Sequence, residues 1–347
     1  MTSPNWKAEY AEVRSKYEAY EKKLRELVCE ILDHAGIDVF QVEGRVKTLD
    51  SFDEKIRRKS GKYDNPLTDM TDLVGVRIIA HYVEDVDRIV ELLGKEFEVR
   101  EEHSMNKQDE LAPDQFGYTS NHLVVRIGSR SERLEWAKYA DISVEFQVRT
   151  MSQHAWAAMH HKLGYKREAD VPVPLQRKLF RLSALFELAD EQFSTIKDAI
   201  DTLSGEYSDS VRHGILDMNV DAQSIEAYLR NSTKVSTIIE VARKLRITYW
   251  ESNLSVLVAI AGALDARTIG EFDGLLPDGT SAHRVLTAFL SVFGPRSEGR
   301  AIEVSLGSII ATFNGLTEEQ FTRIFPDSDS TGWRMFEVIH KRLRSQE

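Results

Sequence analysis

The sequence predicts an α/β core with helices on its sheet, followed by a separate and mostly helical module. Three observations predict it. A long amphipathic helical pattern opens the chain, β-branched runs of strand length occupy its middle, and helical patterns punctuated by Gly and Pro fill the rest. With 347 residues and 42% hydrophobic content, the chain has material for a full core and room for two domains.

The first element is a helix over Trp6 to His34, where Tyr10, Val13, Tyr17, Leu24, Leu27, Val28 and Ile31 recur at helical spacing among charges. Gly36 is its stop. The single cysteine, Cys29, lies inside this pattern without a partner for a disulfide or zinc site, and is expected in the core. The period then changes: Leu73–Ala80, Thr119–Ile127 and Ile142–Val148 read as strands, with a helix over Val86–Leu93 between the first two. After Pro172 and Pro174 a helical pattern resumes over Leu175–Leu203 and closes a first domain, residues 1–204. Ser204–Gly214 is rich in Gly, Ser and Asp, so residues 205–213 are expected as a linker. Residues 214–347 are expected as a mostly helical accessory or regulatory domain, and show no constellation of reactive side chains.

Charge narrows the function. The net charge of -11 argues against a protein that coats nucleic acid non-specifically. Locally, however, Lys55 to Lys62 holds five cations, a candidate phosphate site, whereas Glu96 to Glu110 is dominated by acids. No run approaches the roughly 20 apolar residues that span a bilayer, and Met1 to Tyr10 lacks a secretory apolar stretch. The expectation is a cytoplasmic protein without a membrane partner.

Four segments carry candidate chemistry. In Ile142–Arg149, alternation puts Glu145, Gln147 and Arg149 on one strand face and apolar residues on the other; the plain alternative is a solvated polar face. In Asp72-Leu-Val-Gly-Val-Arg77, an acid and an arginine interrupt an otherwise apolar strand, which is costly unless each is paired. Asp72 and Glu145 together suit a hard cation such as magnesium, unless Asp72 simply pairs with Arg77. Ser51, Lys55 and Arg58 or Lys59 fall on one helix face, as phosphate donors or as an ordinary solvated basic surface. Phe116-Gly117-Tyr118 is a tight turn that presents Tyr118 to a base or packs it on the core, and His122 follows on the strand face of Ser120.

Taken in order, Arg45-x-Lys47 with Ser51 and Lys55, Asp72 to Arg77, Gly117-Tyr118-x-Ser120-x-His122, Glu145-Phe-Gln147-Val-Arg149-Thr150, then His154-Ala-Trp156-Ala157 and Tyr165-Lys166 resemble the RelA/SpoT synthetase domain. The resemblance implies a mixed sheet flanked by helices and transfer of the β,γ-pyrophosphate of ATP to the 3'-hydroxyl of GDP or GTP. It further implies that Arg45 and Arg77 sandwich adenine, that Lys47, Ser51, Lys55 and Arg58 hold the ATP phosphates, and that Asp72 and Glu145 bind magnesium. Glu145 is then the base, Tyr118 stacks on the acceptor base, Lys107, Gln147 and Arg149 line the acceptor side, and His122 stands with Glu145, Asp72 and Tyr118 among the catalytic residues. A departure concerns the acceptor: Asp114 stands where many members place a lysine able to reach acceptor phosphates. Toxic members of the superfamily modify the 3'-terminal adenosine of tRNA, so a tRNA 3' end is the alternative acceptor, with adenine nucleotides a third.

No His-Asp dipeptide occurs, so alarmone hydrolysis by the family's other domain is not expected. A zinc hydrolase built on His154, His160 and His161 lacks the His-Glu-x-x-His spacing, and neither a P-loop nor a Gly-x-Gly-x-x-Gly motif is present. A pseudo-synthetase that only senses nucleotide is the remaining rival, and the presence of both carboxylates weighs against it. Beyond its substrates, a second copy of the chain or a regulatory partner is expected at the C-terminal module.

Overall fold

The computed structural model of the chain describes residues 5–106, 121–162, 172–293, 302–326 and 330–345. Helix α1 (Trp6–His34) spans the residues its pattern predicts. Asn5 caps it by accepting from the Ala8 amide at 3.3 Å, and Gly36 ends it at φ +62°. Tyr10, Tyr17, Tyr20, Leu24, Val28 and Leu32 form its buried stripe. Cys29 is exposed, contrary to expectation, because it lies about 100° round the helix from Val28, whose neighbours own the core-facing positions.

The elements that follow are β1 (Val39–Val46), α2 (Leu49–Arg58), α3 (Pro66–Asp69), β2 (Val74–Ala80), α4 (Val83–Glu96), β3 (Glu98–Val99), β4 (Met105–Asn106), β5 (Asn121–Arg126), α5 (Leu134–Ala137), β6 (Val144–Thr150), α6 (Met151–Lys162) and α7 (Val173–Arg212). The sheet runs β1-β2-β6-β5-β3, with β4 also on β5. Among the described strands of this sheet, β2 and β6 pair in parallel and the other pairs are antiparallel, so the sheet is mixed, as expected. Val74, Val76 and Ile78 of β2, Val144, Phe146 and Val148 of β6 and Leu123 and Val125 of β5 enter one core with residues of α1 and α4. Each such side chain contributes about 1.5–3 kcal/mol on burial.

Alternation sends the partners of those residues to the opposite face. Glu43 and Arg45 of β1, Gly75 and Arg77 of β2, Glu145, Gln147 and Arg149 of β6 and His122 of β5 therefore share one surface. Strand β1 was not anticipated. Its charged residues and Gly44 hide an edge strand, and a side chain at Gly44 would displace the Glu21 side chain of α1.

Residues 205–213, expected as a linker, instead continue α7 to Arg212, and the chain turns only at Gly214 (φ +73°). Gly and Ser are poor helix formers, but tertiary contacts outweigh propensity. Val211 is buried, Tyr207 Oη donates to Asp221 at 3.2 Å, and Ser204 bonds Gln223 at 3.2 Å.

The chain divides into compact units Met1–Ile196 and Lys197–Glu347. The second is mostly helical, as expected: α8 (Ala222–Asn231), α9 (Thr233–Lys244), α10 (Leu254–Ala263), α11 (Ile269–Leu275), α12 (Gly279–Phe293), α13 (Leu306–Asn314), α14 (Glu318–Ile324) and α15 (Ser330–Arg344), with β7 (Thr248–Trp250) and β8 (Glu303–Ser305) paired in parallel. Capping boxes start α8 (Asp221 with Ser224), α11 (Thr268 with Glu271) and α14 (Thr317 with Gln320). Ile225, Leu257, Ile260, Phe272, Leu286 and Ile310 lie in its own core. Among the described residues, no helix is long and apolar enough to cross a membrane.

Candidate active site

Asp72 precedes β2 and meets two lysines. Lys47 Nζ lies 2.9 Å and Lys55 Nζ 2.7 Å from its Oδ2. The turn between β1 and α2 is tied down so that Lys47 reaches it: the Lys47 amide donates to Leu73 O at 2.9 Å, and Tyr10 Oη donates to Lys47 O at 2.8 Å. Lys55 projects from α2, whose N-terminus Thr48 caps. Burial alone would raise the Asp72 pKa, but the two ammonium groups prevail and hold it below its ordinary value. Its second oxygen, Oδ1, is buried without a hydrogen-bond partner. The Asp72–Arg77 ion pair considered from the sequence is not formed.

Glu145 occupies the middle of the sheet face, beside Gly75 in the register of β2 and β6. His122 Nδ1 lies 2.7 Å from its Oε1, and Gln147 Nε2 donates to Oε2 over a long 3.4 Å. Burial pushes the carboxyl up, yet the His122 contact outweighs it and the net shift is downward; the charge of Asp72 acts on Glu145 in the opposing sense. The two carboxylates thus lie within each other's field. Side chains of Lys47, Lys55, Asp72, His122 and Glu145 are only 13–20% exposed, so water screens these interactions weakly.

Arginines fill the other half of the face. Arg45 lies across Gly75, where an added Cβ would sit 3.5 Å from its Nε. Arg77 Nη1 donates to Glu43 Oε2 at 3.0 Å. Arg149, 6% exposed, donates from Nη2 to Gln147 Oε1 at 2.9 Å. Burial, then the charge of Arg77, pushes Arg149 down to about 10, which leaves it cationic at neutral pH. His154 of α6 is pushed down by burial and by Arg149 and Arg77.

Of the residues singled out from the sequence, Lys47, Lys55 and Asp72 form one cluster, and His122, Glu145, Gln147 and Arg149 form a chain of contacts that reaches the Arg77 group. Ser51 bonds Thr48 at 2.9 Å at the exposed start of α2, and Arg58 is exposed in its last turn. Tyr118 and Lys107 lie outside the described residues, as do Asp114, Gly117, Ser120, Tyr165 and Lys166. Sequence reasoning missed Glu43, whose signal was its alternation with Val42 and Gly44 ahead of Arg45. Among the described residues, no group of three or more His, Cys, Asp or Glu side chains could hold a metal. Among the described residues of the site, Asp72 Oδ1, without a partner, and Glu145 Oε2, which accepts over 3.4 Å from Gln147, are oxygens of the kind a hard cation takes.

Residues 44–170 match the model of the region found in RelA/SpoT proteins. The GTP pyrophosphokinase YjbM of Bacillus subtilis is 32% identical over 179 residues, which cover 51% of this chain and 79% of the relative. The GTP pyrophosphokinase YwaC of the same organism is 27% identical over 202 residues, 57% of this chain and 92% of the relative. Among solved structures, a GTP pyrophosphokinase family protein from Streptococcus pneumoniae aligns at TM-score 0.47 and 25% identity over 56% of this chain and 96% of that one. Small alarmone synthetase 1 from Bacillus subtilis aligns at TM-score 0.46 and 27% identity, over 56% of this chain and 99% of that one. With Asp72 at the entrance to β2, Glu145 on β6 and the lysine pair all in the matched region, the chain belongs to the RelA/SpoT family of pyrophosphotransferases.

Proposed function

We propose that this chain transfers the β,γ-pyrophosphate of ATP to the 3'-hydroxyl of GDP or GTP. The observation that carries the reading is Asp72, neutralised by Lys47 and Lys55, lying within the field of an ionised Glu145 held by His122. The curated relatives named GTP pyrophosphokinases support it.

In this reading Arg45 and Arg77 hold the adenine by stacking, and Lys47, Lys55, Ser51 and Arg58 bind the phosphates. The lysines would exchange part of their contact with Asp72 for phosphate oxygens. Asp72 and Glu145 would hold magnesium, which supplies charge neutralisation on the donor phosphates. Glu145 accepts the proton of the 3'-hydroxyl, whose oxygen forms a bond to the β-phosphorus as the bridge to the α-phosphate breaks; AMP leaves with that bridging oxygen. His122 orients Glu145 during the transfer, and Gln147 and Arg149 brace the acceptor side with Tyr118 and Lys107. The protein's work is positioning and electrostatics. A cytoplasmic setting goes with the proposal, since its substrates are ATP and guanine nucleotides.

The test is incubation of the full chain with magnesium, γ-labelled ATP and, separately, GDP, GTP, AMP, ADP and bulk tRNA. Label on GDP or GTP supports the proposal. Label on tRNA or an adenine nucleotide replaces the acceptor while keeping the donor chemistry, and absence of transfer to every acceptor overturns it.

A further inference from the structure

We propose that Glu43 is a positioning residue for the donor: by anchoring one edge of the Arg77 guanidinium it holds that arginine in the plane needed to stack on the donor base. The inference rests on the donor reading above.

Three observations lead there. Glu43 and Arg77 are direct cross-strand partners in the antiparallel β1/β2 pair, and their side chains meet at 3.0 Å. Arg77 Nε is buried without a hydrogen-bond partner, so the contact with Glu43 fixes the guanidinium at one edge and leaves its faces to other groups. The surroundings are cationic: Arg149 is buried next door, and Arg45 lies over Gly75 on the same face. Two like charges at this separation from water repel, and a long arginine side chain has many rotamers by which to escape.

Glu43 counters that repulsion. It offsets the cationic neighbours of Arg149 more strongly than Glu145 does, and it acts on His154 in the same sense. Glu43, Arg45, Gly75, Arg77 and Gln147 line one small recess. A carboxylate facing the donor phosphates would be a liability. Glu43 stands two residues along β1 from Arg45 and engages Arg77 across the strand pair, which gives it instead a role at the base end.

The experiment compares wild type with Glu43→Gln, Glu43→Asp and Arg77→Ala in the full chain, by titration with a non-hydrolysable ATP analogue and by steady-state kinetics with the acceptor that the labelling test identifies. Glu43→Gln is expected to weaken analogue binding and raise the KM for ATP about tenfold, with kcat at saturating ATP and the acceptor KM within about twofold of wild type. Glu43→Asp should restore most of the loss, and Glu43→Gln should add little in an Arg77→Ala background. Unchanged or tighter analogue binding by Glu43→Gln, or an equal loss in kcat and both KM values, overturns the inference while leaving the function standing. Failure of the wild type to bind the analogue overturns the donor reading and this inference together.

Discussion

The imidazole of His122 and the carboxylate of Glu145 meet at 2.7 Å from adjacent antiparallel strands, two residues off direct opposition. Glu145→Gln keeps the shape of this contact and removes the charge that accepts a proton. We expect kcat to fall by about 10² to 10⁴-fold with a much smaller change in ATP-analogue affinity. Initial rates and a binding titration check it, and turnover near wild type in the variant contradicts the assignment of Glu145 as base.

Loss of His122 should change the pH profile as well as the rate. Glu145 sits below its ordinary value of 4.5 because the His122 contact overcomes burial, so in His122→Ala burial prevails and the carboxyl moves upward. The acid limb of kcat/KM is expected to shift to higher pH, with a rate loss at neutral pH of about 10 to 100-fold. A variant whose acid limb coincides with that of wild type shows that His122 does not control Glu145.

Asp72→Asn should reveal the lysine cluster in stability measurements. The folded pKa of Asp72 is depressed, so its contribution is present above the unfolded value of about 3.9 and disappears as pH falls through the folded value. Wild type is expected to exceed Asp72→Asn by about 1–3 kcal/mol at pH 7, with the gap closing below roughly pH 4. Urea unfolding across a pH series measures the gap, and a difference independent of pH disproves the account.

Gly205 lies inside α7, and a Cβ added there meets nothing within 4 Å. Gly205→Ala is therefore expected to stabilise the chain by about 0.5–1 kcal/mol, since alanine loses less backbone freedom in a helix. A flexible linker at this position would show no gain in thermal midpoint.

Local periodicity explains what could be read before any coordinates. The limits of α1, the placement of β2 and β6 and the one-sided alternation of Glu145, Gln147 and Arg149 depend on spacing within a few residues, because burial of a single face is what forms such elements. The role of Glu43 was hidden for the converse reason, despite the alternation around it. Its meaning comes from Arg77 on the neighbouring strand, and a run interrupted by Gly44 does not announce itself as an edge strand.

The residue types of the site, its carboxylates, lysines and arginines, are written in the chain and carry its chemistry. Their company is a product of long-range pairing. That β2 and β6 run in parallel, that Lys47 and Lys55 rather than Arg77 close on Asp72, and that α7 stays helical through Gly205 follow from contacts between segments far apart in sequence. Such contacts win because desolvated charges must find partners and apolar faces must be covered, demands that a short window of sequence cannot express.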